Sequence, residues 1–161
     1  MQNVTRLYRE PLNNNRFIVK IGNYEIGFSS ISDIELTNQN VQVQEMKYIQ
    51  NNVTRCKYVN MISNSKKKHT NNTVKLEKAL MSYMYNSEQL FLLSLIKQNV
   101  NIECISVEIL RNNGSHAAEL IFTDCKLKSF HISELSATES SYIKQALVFY
   151  YANVTLVPQK S

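Results

Sequence analysis

Residues 17–28 read Phe17-Ile18-Val19-Lys20-Ile21-Gly22-Asn23-Tyr24-Glu25-Ile26-Gly27-Phe28. Phe17, Val19 and Ile21 alternate with Ile18 and Lys20, and Gly22-Asn23 supplies a turn. Tyr24, Ile26 and Phe28 then alternate with Glu25 and Gly27. A period of two puts one set of side chains on one face of a strand, and a glycine in the turn admits the positive φ that tight hairpins need. The stretch predicts a β-hairpin. Outward from it the same period recurs. Ile34 and Leu36 predict a strand between Asp33, Glu35 and Thr37, and Val74 and Leu76 alternate with Thr73, Lys75 and Glu77. Ile105, Val107 and Ile109 alternate with Cys104, Ser106 and Glu108 ahead of the turn Asn112-Asn113-Gly114. Ile121, Thr123, Cys125 and Leu127 share a face opposite Asp124, Lys126 and Lys128. From Tyr142 to Val157 both faces are largely apolar or aromatic, which predicts a run that is central or lies against a partner. About seven strands with hairpin turns predict a mainly β fold, an antiparallel β-sandwich or barrel.

One segment departs from that period. Asn86-Ser87-Glu88-Gln89 predicts a helix start, with Asn86 as cap and Gln89 answering it as in a capping box. The helix spans about 86–99, and its apolar residues Phe91, Leu92, Leu93, Leu95 and Ile96 sweep an arc of roughly 200°, twice what packing on one sheet requires. The excess width points to a neighbouring subunit as well as to deep burial.

The chain has 161 residues, enough for one domain that buries about 70% of its unfolded surface. We read 1–161 as a single domain with an N-terminal arm over 1–15 and an extended polar loop region over 39–72. That region holds Val41, Val43, Met46 and Tyr48 among Gln and Asn, then the run Lys66-Lys67-Lys68. No apolar run approaches the length of a membrane-spanning helix, and Met1-Gln2-Asn3-Val4-Thr5 lacks the apolar core of a secretory signal. Three glycines exclude a Gly-rich phosphate cradle. Cys56, Cys104 and Cys125 are odd in number and widely spaced, which reads as three reduced thiols and not as a disulfide framework or zinc site. The five N-x-[ST] triplets fall among 19 asparagines and read as background.

Enzymatic chemistry finds no anchor. His69, His116 and His131 lie in different segments without metal-ligand spacing, and no nucleophile elbow, zinc-protease or P-loop pattern occurs. We therefore expect no catalytic residues, no cofactor and no metal. A net charge of +5 raises nucleic-acid binding as a second reading. The lysines outside 66–68 are scattered, however, and the chain has five arginines, so a small basic all-β binding module ranks behind a structural role.

The order of features resembles the tail-tube proteins of contractile machines. Phe17 to Glu35 (F-I-V-K-I-G-N-Y-E-I-G-F-S-S-I-S-D-I-E) is similar to that family's opening hairpin and the phrase after it. Thr73 to Met81 (T-V-K-L-E-K-A-L-M) is similar to the strand that leads into its long helix. Ile105 to Gly114 and Ala118 to Phe130 resemble its long hairpin, and Ser133 to Val157 its closing turn and last strand. The resemblance implies a tube subunit of a phage tail, tailocin or extracellular injection system, with the type VI secretion inner tube (the haemolysin-coregulated protein) as the alternative. Six copies would form a ring, and rings would stack into a hollow conduit for DNA or effectors. The implied partners are a sheath protein, a baseplate or spike and a tape measure, with assembly in the bacterial cytoplasm and no membrane insertion. For contacts between copies or rings the sequence points to Val41, Val43, Met46, Tyr48, Lys66, Lys67, Lys68, Phe91, Leu95, Tyr150 and Tyr151.

Overall fold

The computed structural model describes residues 11–36, 41–43 and 72–159. Among these, nine strands and one helix follow in order: β1 Phe17–Ile21, β2 Tyr24–Ile26, β3 Ser30–Ser32, β4 Val41–Val43, β5 Thr73–Ala79, α1 Ser87–Gln98, β6 Asn101–Leu110, β7 His116–Ile132, β8 Lys144–Tyr150 and β9 Asn153–Pro158. The opening hairpin forms as expected. Val19 pairs with Ile26 and Ile21 with Tyr24, and Gly22 opens the turn at φ 59°.

The strands join in the path β2-β1-β6-β7-β8-β5-β3, with β9 paired to β7 and β4 to β9. β2 and β3 stand at opposite ends of that path, yet only Gly27 to Ser29 separates them. Four Cα steps reach at most about 15 Å. The two ends must therefore meet, and the sheet curls into a barrel.

β7 is the spine of this barrel. Its first half pairs with β6 on one side and β9 on the other, and its second half pairs with β8. β8 and β9 are one returning run broken at Tyr151-Ala152, opposite a bend in β7 where Asp124 takes φ 52°. The bend divides the barrel into a first sheet, β2-β1-β6-β7-β9-β4, and a second, β7-β8-β5-β3. It also corrects a sequence expectation. A left-handed residue breaks alternation, so Leu120 and Phe122 point to the main core before the bend while Cys125 and Leu127 do so after it. Ile121 and Thr123 thus lie on a different face from Cys125 and Leu127.

Both faces of the Lys144–Pro158 run are largely buried, as its composition suggested: Leu147, Phe149 and Val154 lie in the main core, and Gln145 and Thr155 are also buried. Other expectations change. Ile34 and Leu36 are exposed and not in a strand, because Asp33 at φ 64° ends β3 first. Residues 41–43, read as part of a polar loop, form β4, which runs parallel to β9 with Val41 opposite Val154. Three residues are too few for their alternation to register. Cys104 is disulfide-bonded and not a reduced thiol, since spacing along a chain does not fix distance in space. Cys125 is free, and burial pushes its thiol far above the ordinary cysteine range.

α1 begins where expected. Asn86 Oδ1 accepts from the Gln89 N–H at 2.7 Å, and Asn99 ends the helix in the left-handed region at φ 49°. The Gln89 side chain does not complete a capping box. It exchanges two hydrogen bonds with the buried amide of Gln145 on β8, at 3.0 and 2.8 Å. Glu88 Oε1 accepts from Lys78 Nζ at 2.7 Å and from the Gly27 N–H at 3.2 Å. With Leu92 and Leu95 in the core, the helix is fastened to β5, β8 and the β2–β3 connection. No described helix is long and apolar enough to cross a membrane.

Candidate assembly surfaces

The residues that could join one copy to another are set by where the sheet runs out of partners. Among the described residues the second sheet has two open edges. One is β3, which pairs only with β5; the other is the Leu127–Ile132 half of β7, which pairs only with β8. An open edge presents unpaired N–H and C=O groups, a template for another strand. The Ser133 N–H donates to the Lys144 carbonyl at 2.9 Å, toward β8. In an antiparallel pair the donors alternate sides, so the N–H groups of Ile132 and Phe130 point away from β8, to the open edge.

α1 presents a second surface. Its inner face is occupied by Gln89, Leu92 and Leu95, while Leu90, Leu93 and Ile96 are exposed. Phe91 is half-buried and stacks on Tyr24 with centroids 4.1 Å apart. Next to it, the β5–α1 connection exposes Met81, Tyr83, Met84 and Tyr85, and the β7–β8 loop exposes Leu135 and Tyr142. A hydrogen bond from the Leu80 N–H to the Ile143 carbonyl, 2.7 Å, brings these two connections out at the same end of the second sheet. Exposed apolar groups clustered in this way mark an interaction surface more often than single ones do.

The contact residues expected from sequence scatter over these features. Met46, Tyr48, Lys66, Lys67 and Lys68 lie outside the described residues. Val41 and Val43 belong to β4. Leu95 is 7% exposed and Tyr151 1%, so both face the barrel interior. The Tyr151 ring meets Phe122 edge-on at 4.9 Å and its hydroxyl donates to the Glu35 carbonyl at 3.2 Å. Burial raises its phenol above the ordinary range. Tyr150 is half-buried beneath the Lys128 ammonium, 5.5 Å from the ring centroid. The helix residues left open are thus Leu90, Leu93 and Ile96; the last two were legible as part of the wide apolar arc, and Leu90 was not. The open edge of β7 carried no local signal, because strand order is not written in any single segment.

No protein-family model matches the chain, and no curated protein matches it. Solved structures do. A chain of the sheath–tube complex of an extracellular contractile injection system, PVC, in its extended state superposes with a TM-score of 0.69 at 14% identity, covering 99% of both chains. A chain of the tube-terminating cap of the anti-feeding prophage gives 0.64 at 14% identity over 94% of this chain and 93% of that one. Hcp1 from Flavobacterium johnsoniae gives 0.51 at 8% identity over 88% and 94%. The chain has the fold of the tail-tube proteins of contractile injection systems.

Proposed function

We propose that this chain is a structural subunit of the inner tube of a contractile injection machine, and that it has no reaction to catalyse. Six copies form a ring, and rings stack into a hollow conduit. The observation that carries this reading is the 0.69 superposition over 99% of both chains with a member of a sheath–tube complex. The lower score of 0.51 with Hcp1 ranks the type VI inner tube behind an extracellular injection system or phage-like tail.

The ring closes through the second sheet. β3 of one copy pairs with the Leu127–Ile132 edge of the next, so main-chain hydrogen bonds set the register and each copy offers a different edge to each neighbour. Such a head-to-tail contact closes into a ring when the rotation per copy divides a full turn. The apolar outer stripe of α1 covers the joint. Met46, Tyr48 and Lys66–Lys68 are the proposed contacts to the adjacent ring or the sheath. A sheath, a baseplate or spike and a tape measure are the proposed partners, and DNA or effectors the cargo. Subunits assemble in the bacterial cytoplasm and end in a tail or released particle. Negative-stain microscopy of the purified protein tests the reading. Rings or tubes roughly 80–100 Å wide are expected from six domains of this radius, and dispersed single particles at high concentration would refute it.

A further inference from the structure

The solvent face of the second sheet carries a charge pattern that assembly does not require. Register places its side chains. Lys126 on β7 faces Tyr150 on β8, which faces Thr73 on β5, and directly opposed residues share a face. Period two then adds Lys75 and Glu77 on β5 and Lys144 on β8. Lys128 joins them at the irregularity between Leu127 and Ser129, its ammonium over the Tyr150 ring. Four ammonium groups stand on this face with the Glu77 carboxylate, and Asp33 at the end of β3 acts on Lys75 from its margin, so the face keeps a net positive charge. Glu77 is engaged with Lys75 at 2.7 Å. Glu77 also feels the charge of Lys144, and among the described residues no carboxylate forms an ion pair with Lys126 or Lys128.

We propose that this basic sheet face binds acidic polypeptide, and so favours acidic protein cargo in the conduit. The naming of a cargo rests on the tube reading; the binding does not. The chemistry separates ligand classes. The charges spread over three strands, each about 4.8 Å from the next, which suits a chain of carboxylates better than a single small anion. They are all lysine. A flexible ammonium acts as a point charge, whereas phosphate backbones and bases are gripped by the planar fork of arginine and by open aromatic platforms. Of the rings on this face, Tyr150 is half-buried and covered by Lys128, and the exposed His131 is held to Ser129 at 3.0 Å, so neither is an open aromatic platform of the kind bases stack on. Exposed lysines bind weakly and reversibly, which lets cargo be retained without being trapped.

The test measures fluorescence anisotropy of labelled poly-L-glutamate and of a labelled oligo-dT of equal charge, at low and at physiological salt. Wild type is compared with K126E/K128E and with R16E/K97E, which changes net charge equally on other surfaces. Poly-glutamate affinity should fall about tenfold or more in K126E/K128E and less than about twofold in the control, as for a local charge patch within a Debye length of its ligand. K126Q/K128Q adds no repulsion and should lose affinity in the same direction if the reversal variant does not fold. Equal losses in both reversal variants, tighter binding of oligo-dT than of poly-glutamate, or no binding at low salt would overturn the proposal. Ring formation is scored separately by microscopy. Rings without glutamate binding refute this inference alone, and binding without rings refutes the tube reading alone.

Discussion

Gln89 and Gln145 show how one pair of side chains locates the helix. Each amide donates to and accepts from the other inside the barrel, so neither is left without a partner on that contact. Replacing one with Leu strands a buried amide, at a cost of about 1–3 kcal/mol. Gln89→Leu and Gln145→Leu should each lower the urea midpoint, and the double variant should lose clearly less than the two single losses added together. Simple additivity would mean that the amides do not act as a pair. Glu77 sets a different test. Hydrogen bonding and attraction from Lys75 hold its carboxyl below the usual range. A lowered folded pKa means that the stabilisation is present above the unfolded value near 4.3 and is lost as pH falls through the folded value. Between about pH 6 and pH 3 the wild type should therefore lose stability more steeply than Glu77→Gln. Parallel curves in urea titrations would deny the contact a role. The paired glutamines were not legible in the sequence. Gln89 read as a capping-box partner because local spacing shows residues three apart and hides the strand 56 residues away.

At the scale of elements, the open edge of β7 makes the sharpest prediction. The Ile132 N–H points away from β8, so Ile132→Pro removes an edge donor and no donor to the β7–β8 ladder. The variant should keep its thermal midpoint within about 1 kcal/mol of stability while forming rings poorly, as scored by microscopy. Unchanged rings would place the lateral contact elsewhere. How much of each element could be read in advance follows from its length. The β1–β2 hairpin, β5, β6 and α1 repeat their period over enough residues to be read directly. β4, with three residues, could not be. The failure at Ile34 and Leu36 came from Asp33, since a non-glycine residue at φ 64° leaves no mark in a pattern of apolar positions. Asp124 acted in the same way within β7, where the strand persists but its faces exchange. The helix surfaces were half legible: the arc was visibly too wide, but which of Phe91, Leu93, Leu95 and Ile96 would stay outside depended on how α1 sat across the barrel.

For the whole molecule, the curl of the sheet sets where one copy can meet another. A barrel whose path ends at β2 and β3, joined by three connecting residues, leaves the second sheet with two open edges among the described residues. Two unlike edges on one sheet are what a ring of identical copies needs. The order of elements along the chain is enough to indicate the architecture, whereas the edges, the exposed helix stripe and the basic face emerge only once strands distant in sequence are laid side by side. Mass measurement of the purified, untagged chain across a range of concentrations tests the central claim most directly. Particles in steps of about 112 kDa, six times the 18.6 kDa subunit, are predicted for closed rings and their stacks. A single species at the subunit mass at every concentration would contradict it.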